Sequence, residues 1–513
     1  MKVALLGVSL LSLLSPAALA GEFFVNVATG SDANPGTSAG APWKTLTHAV
    51  ALAGDADDLI HVAPGDYSVA TGEVFPIHLG SSDLFGDQGS AVTRVIGTGS
   101  ELLFEADQGK LQSAQFDGLS LLNAQTALHM VSTNEFSLLR TTDLVIVDMA
   151  GFALELEAHT DAGTIAAPSI LTCMAGLDIA DCGGGIRMSA TSPADASLLA
   201  LTNSSIHDSA GDGIRLESVD GGRILLSLSQ VRVQRNGQAG VRASVSGDVE
   251  LGFGSCLVAD NGTGIAVADD GGALQVGLFF STVAGNTGSG LQVEDGLPAT
   301  SAFGGALFWG NGADITGSSA LSAKNSDSEQ GVFGTADGNF SADPQFRNAA
   351  QGDYRLSFGS PCLEAGDPTL TAGALDLDGA QRPADGDLDT LERLDVGCFE
   401  LNPLVVETTG ELGTEVVFES IGSPCMQTTL FFAPGLPAVA HKTAFGSLRL
   451  GPSGILPLLV TIALSPDPAL VVATIPNIPA LVGSTFSFQG LTQSLASPKG
   501  AALTNVESFT VIE

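Results

Sequence analysis

The sequence predicts an all-β protein whose body is a right-handed parallel β-helix. Three observations point there: a glycine-led repeat, period-two hydrophobic alternation within it, and a composition of turn formers. The repeat runs Gly151-Phe152-Ala153-Leu154, Gly185-Ile186-Arg187-Met188, Gly213-Ile214-Arg215-Leu216, Gly240-Val241-Arg242-Ala243, Gly264-Ile265-Ala266-Val267 and Gly290-Leu291-Gln292-Val293, at steps of 34, 28, 27, 24 and 26 residues. Residues one and three places after the glycine are mostly apolar, so Ile186, Met188, Ile214, Leu216, Val241, Ile265, Val267, Leu291 and Val293 are expected to stack inward. A helical repeat would need period 3.6 and few glycines, whereas Gly numbers 64 and charged residues make up only 15%.

Asn236, Asn261, Asn286 and Asn311 recur every 25 residues, with Asp208 expected in the equivalent place one coil earlier. Asn and Gly tolerate the left-handed backbone angles that coil corners demand, so these positions are expected to be the corners.

Five segments follow along the chain. Residues 1–20 carry Lys2, an apolar run from Val3 to Leu14, and the ending Ala18-Leu19-Ala20, the pattern of a secretory signal peptide with cleavage after Ala20. The run is shorter than the roughly 20 residues of a membrane span, so no transmembrane segment is expected after cleavage. Residues 21–100 form an N-terminal module in which Thr45 to Ala53 reads as a short amphipathic helix capping the first coil. Residues 101–345 hold the coils, and 346–401 are a polar terminating segment rich in Asp and Gly. Residues 404–513 alternate short strand patterns with Pro and Gly turns, as in a small β-sandwich.

Several strings resemble known families. Pro42-Trp43-Lys44-Thr45-Leu46, Val62-Ala63-Pro64-Gly65-Asp66-Tyr67 and Thr71-Gly72-Glu73-Val74-Phe75-Pro76-Ile77 are similar to the start of a bacterial β-helix family of unknown function in the pectate-lyase-like superfamily. Ser360-Pro361-Cys362-Leu363-Glu364-Ala365-Gly366-Asp367, Asp376 to Arg382 and Asp395-Val396-Gly397-Cys398-Phe399-Glu400 resemble the choice-of-anchor Q domain, which implies a solenoid end near a surface-anchoring region. Gly422-Ser423-Pro424-Cys425 and Phe486-Ser487-Phe488-Gln489 look like a C-terminal domain of secreted planctomycete proteins.

A net charge of −37 repels phosphate backbones, which excludes nucleic acid and leaves divalent cations and neutral or cationic polymers. Arg187, Arg215 and Arg242 take the same place in three successive coils and are expected to form an outward ladder. The ladder either receives carboxylates of a uronic-acid polymer or neutralises local acids such as Asp208, Asp212 and Glu217. Arg232 and Arg235 lie one coil from Asp208 and Asp212, beside His207; a lyase of the superfamily would need such groups to converge. His207 alone reads as a turn residue, because the sequence identifies no partner to orient it.

Asp385, Asp387 and Asp389 alternate along an irregular loop and, with Asp395 following, are candidate ligands for a structural Ca²⁺. Cys173 with Cys182, and Cys362 with Cys398, are candidate disulfides in an exported chain. No complete catalytic constellation is present, and no catalytic residue is assigned. The reading is a secreted or cell-surface β-helix protein that binds extracellular polysaccharide or another envelope component. The alternative is a polysaccharide lyase or glycoside hydrolase acting on an acidic glycan.

Overall fold

A computed structural model describes residues 21–512 apart from 54–57, 108–111, 134–135, 160–168, 194, 270–272, 295–300, 318–321, 371–374, 387–390, 403, 421–425, 436–440, 444–445, 449, 451–455, 464–468, 476 and 495–500. The signal-peptide expectation, Asp387 and Asp389 thus lie outside the described residues.

The chain coils into a parallel β-helix of about nine turns. One side is a ten-stranded parallel sheet running from Ile77–His78 to Ala313–Thr316. A 19-stranded sheet forms the rest of each coil, because strands such as Arg223–Gln234 bend across a corner and serve two sides. All nine residues expected to stack inward are at most 1% exposed, within one apolar cluster that spans the solenoid.

The corners differ from expectation. Left-handed residues form two columns: Gly118, Asp143, Gly176, Asn203, Gln230, Ser255, Phe280 and Gly305 at the bend inside the larger sheet, and Asn123, Asp148, Asp181, Asp208, Arg235, Asp260, Gly285 and Gly310 at its far edge. The recurring asparagines sit one place after the second column and point inward. Asp208 therefore aligns with Arg235, and Ser209, whose N–H donates to Asn236 Oδ1 at 3.1 Å, aligns with Asn236.

The asparagines make a buried ladder instead. Nδ2 of Asn236, Asn261 and Asn286 donates to Oδ1 of the next asparagine at 3.0, 3.1 and 2.8 Å. Each Oδ1 also accepts the preceding asparagine's backbone N–H, and Nδ2 of Asn261 and Asn286 also donates to the carbonyls of Val233 and Val258. The repeat glycines are not left-handed either; they make room for the ladder. A Cβ on Gly264 would lie 2.4 Å from the carbonyl oxygen of Gly290 and 3.0 Å from Asn286 Nδ2.

At the first coil, helix Leu46–Leu52 buries Leu46, Ala49 and Val50. Thr45 caps it through the N–H of His48, and the buried Glu73 carboxylate accepts the N–H groups of Leu46 and Thr47 at 2.8 and 2.9 Å.

Residues 346–401 fold back along the solenoid. Outward residues of its last coils, Leu257, Ala259, Ala284, Leu307 and Trp309, are apolar and pack against Tyr354, Leu356, Val396 and Phe399. Polar ties fix the contact: Gln230 Nε2 to the Asp376 carbonyl at 2.6 Å, Cys398 N–H to Thr282 Oγ1 at 3.0 Å, and Gly397 N–H to the Gly305 carbonyl at 2.8 Å. Within the segment Arg382 and Glu400 form a fully buried ion pair at 3.2 Å, and Arg382 lies over the Phe280 ring.

The four cysteines of the candidate disulfides do not pair. Cys173 faces outward on Ser169–Ala175 whereas Cys182 is buried inside the coil. Cys362 points at Asp327 Oδ2 (3.4 Å) while Cys398 packs in the neighbouring cluster with Leu257 and Tyr354. All four are free thiols, since opposite facing within one strand layer and separation between two clusters keep the sulfurs apart.

In the C-terminal part, a three-stranded and a four-stranded antiparallel sheet share an apolar cluster around Phe418, Leu430 and Phe488.

Asn286→Ala removes four hydrogen bonds and strands the Asn261 N–H and the Val258 carbonyl in the core. It is expected to destabilise the solenoid by about 3 kcal/mol, read as a lowered urea midpoint; an unchanged midpoint would show that water replaces the amide.

Candidate functional site

The five residues expected to bind substrate separate onto two sides of the solenoid. Strands are 2-periodic, so every second residue of a β-helix faces solvent and meets its equivalent in the next coil about 4.8 Å away. On the ten-stranded sheet the register puts Glu155, Arg187, Arg215 and Arg242 in one outward column. The ladder therefore exists as expected, and its partners are now visible.

Arg187 Nε meets Glu217 at 2.9 Å, with Glu155 and Glu157 at 3.8 and 3.9 Å. Arg215 Nε reaches Glu217 at 2.7 Å, and Arg242 Nε reaches Asp212 at 3.0 Å. Asp212 is almost fully buried and also accepts the Ala239 N–H. Asp208, expected among these neutralising acids, is not one of them: its left-handed corner turns it to the other side. Three guanidinium charges thus meet four carboxylates, yet each side chain stays 34–39% exposed, so N–H groups remain open to solvent.

The second group lies at the far corner of the larger sheet. His207 Nδ1 is 2.6 Å from Asp208 Oδ2 and its Nε2 is 3.2 Å from Asp178 Oδ1. Arg235 grips both oxygens of Asp208 at 2.8 Å. One coil further, Asp260 accepts a hydrogen bond from Tyr354 of the folded-back segment. Arg232 pairs with Asp378 of that segment, which also holds Arg355 at 2.6 Å. His207, Asp208 and Arg235 therefore converge, Arg232 is drawn to the segment, and Asp212 faces elsewhere.

His207 is thus not a partnerless turn residue. The missed signal was Asp178: register places its strand beside that of His207, with Asp178 opposite Ser205, but the step between these coils carries no motif. Hydrogen bonding to Asp178, reinforced by Asp208, raises the His207 pKa above its ordinary value. The bond from Arg235, then that from His207, holds the Asp208 carboxyl at about 2.

Asp395, one of the four calcium candidates, is buried. Its oxygens accept the N–H groups of Glu364 and Leu401 at 2.7 Å each, and burial pushes its pKa to about 7. Asp385 lies in the described part of the same loop. Among the described residues no three metal-ligating side chains cluster.

The corner cluster predicts a pH-dependent contribution. A histidine with a raised folded pKa stabilises fully below the unfolded value of about 6.5 and loses that contribution as pH rises through the folded value. The melting-temperature deficit of His207→Gln is therefore expected to be larger at about pH 5 than at about pH 8.5; an equal deficit at both would remove the charged pairing.

Residues 28–155 match a family described as a protein of unknown function (DUF1565). The match falls on about a quarter of the chain and overlaps the strings that resemble the β-helix family of unknown function. No curated protein matches. Among solved structures, the chain is similar to the A-module of the Azotobacter vinelandii mannuronan C-5 epimerase AlgE6, at 13% identity over 58% of this chain and 93% of that one, with a TM-score of 0.28. It is also similar to the tailspike protein gp49 of Acinetobacter baumannii bacteriophage Fri1, a capsular polysaccharide depolymerase, at 8% identity over 89% and 73%, TM-score 0.29. A third is the enzymatically active domain of bacteriophage CBA120 tailspike protein 2, at 10% identity over 88% and 72%, TM-score 0.25. None superposes closely enough to assign chemistry to a residue of this chain.

Proposed function

We propose that this is a secreted or cell-surface protein that binds extracellular polysaccharide along the open face of the ten-stranded sheet, without catalysing its cleavage. The observation that carries the reading is the in-register column Arg187, Arg215, Arg242, flanked by Glu155, Glu157, Glu217 and Asp212. Three guanidinium groups follow one another there at about 4.8 Å, beside a second column of Glu157, Ser189, Glu217 and Ser244, along a rigid strip. Such a strip offers each hydroxyl of an extended glycan both a guanidinium N–H and a carboxylate oxygen. Because the acids outnumber the arginines and the chain carries −37, a hydroxyl-rich neutral or weakly charged glycan fits better than a polyuronate.

The second reading, a polysaccharide lyase or glycoside hydrolase, draws on His207 held between Asp178 and Asp208 beside Arg235. Against it, both ring nitrogens already have partners and Asp208 is tied at both oxygens, so neither His207 nor Asp208 is free to take a substrate proton.

Affinity electrophoresis through gels containing neutral or acidic polysaccharides tests the first reading. The protein is expected to be retarded by a neutral glycan, and the variant with Arg187, Arg215 and Arg242 all changed to Ala to lose about tenfold or more in affinity. Equal retardation of both would exclude this face. New reducing ends or unsaturated products, abolished in His207→Gln, would favour the enzyme.

A further inference from the structure

The outward column that carries the arginines continues past them. Arg242 stands opposite Ala266, and Ala266 opposite Gln292. In the neighbouring column Ser244 stands opposite Ala268, and Glu294 follows Val293, the partner of Val267, on the next strand. Both columns therefore shrink to alanine on one strand, Thr263–Asp269. The result is a notch of about 40 Å³ with Ala266 and Ala268 in its floor and Arg242, Ser244, Gln292 and Glu294 around its rim. The flanking strands lie two inter-strand spacings apart, about 9.6 Å.

The fold does not demand alanine at these places. On earlier coils the same two columns hold Arg187 and Arg215, and Glu157 and Glu217, so long side chains stand there without disturbing the stack. The rim also differs from the strip that leads to it. Arg187 and Arg215 share Glu217, and Arg242 Nε is held by Asp212. Among the described residues, by contrast, no hydrogen bond or ion pair engages the side chains of Ser244, Gln292 and Glu294. The notch is thus ringed by a guanidinium, a hydroxyl and an amide that can donate, and by an amide oxygen and a carboxylate that can accept.

We propose that the notch receives the acetyl group of an N-acetylated sugar, so that the glycan bound along this face contains N-acetylhexosamine. The inference rests on the reading of the ten-stranded sheet as the glycan face and names the sugar class it takes. Size selects the group. A water-sized atom needs about 10–15 Å³ of such space, so the notch holds roughly three, the number in the carbon, oxygen and methyl of an acetyl. A hydroxyl fills one of these places and a hydroxymethyl two, and either sets its polar end against the alanine floor.

The chemistry selects it too. The acetyl methyl rests on the Ala266 and Ala268 methyls, the carbonyl oxygen accepts from the rim donors, and the amide N–H of the sugar donates to Glu294. A carboxylate has the same three heavy atoms, but it would place a charged oxygen on two methyl groups and beside Glu294, both of which cost free energy.

Isothermal titration of the mature chain with the β-1,4-linked hexamers of N-acetylglucosamine and of glucose tests this, because the two differ only in carrying an acetamido group or a hydroxyl. The wild type is expected to bind the acetylated hexamer about tenfold more tightly. Ala266→Leu fills the notch and is expected to bind both hexamers equally. Its side chain points outward where other coils carry arginine, so it folds, which circular dichroism checks. Glu294→Ala, at an exposed site, is expected to shrink the preference several-fold. Equal affinity of the wild type for the two hexamers, binding of neither, or a preference that survives Ala266→Leu overturns the acetyl site. Retardation of the wild type in a gel holding some other glycan then shows that the face itself still stands, and no retardation in any gel shows that both readings fail.

Discussion

From Ser209 to Asn311 the stacking of one coil on the next is fixed by the buried asparagine ladder. Each amide of Asn261 and Asn286 serves two neighbouring coils, accepting an N–H from and donating to a carbonyl of the preceding coil and donating to the amide of the next, so a corner that would otherwise bury unpaired backbone groups is satisfied. The glycine that follows in each repeat is the other half of the device, because any side chain there would meet the next coil's carbonyl and amide. A ladder with every member paired leaves a single register. That register sets Arg242 beside Arg215 on the ten-stranded sheet.

The sides of the solenoid then take different roles. One is covered by the chain's own segment 346–401, whose apolar side chains match Leu257, Leu307 and Trp309. One carries a column of arginines beside carboxylates whose charges nearly cancel, which suits hydrogen bonding to hydroxyls more than attraction to an anion. The third carries a column of leucines beside small residues, bounded by Arg140 and Glu250. A rigid solenoid keeps these sides apart, so binding on one need not disturb another.

The folded-back segment also reaches the acid–base cluster. Tyr354 and Asp378 touch Asp260 and Arg232 on the coils next to His207, which joins residues separated by some hundred positions in sequence. The buried Arg382–Glu400 pair and the amide-bound Asp395 show that the acidity of this segment is partly internal. Such groups hold backbone and each other, and are retained because removing one partner leaves a charge stranded in the interior.

The fold was legible because its signals are local and periodic: alternation placed Ile186, Ile214, Val241, Ile265 and Leu291 in the core, and the 24- to 28-residue steps gave coils and the arginine column. Spacing showed that asparagine and glycine recur, but both residues suit corners and close approaches alike. Only the tertiary structure decided that the asparagines turn inward while Asp208, Arg235 and Asp260 take the left-handed corner. Partners across coils were equally out of reach: Asp178 for His207, Asp378 for Arg232, and the separation of Cys362 from Cys398. The sequence by itself thus determined the β-helix, its inward face and its acidic character. Which outward groups meet was left to the coil register and the folded-back segment, because those contacts join distant residues through geometry that no single stretch of chain encodes.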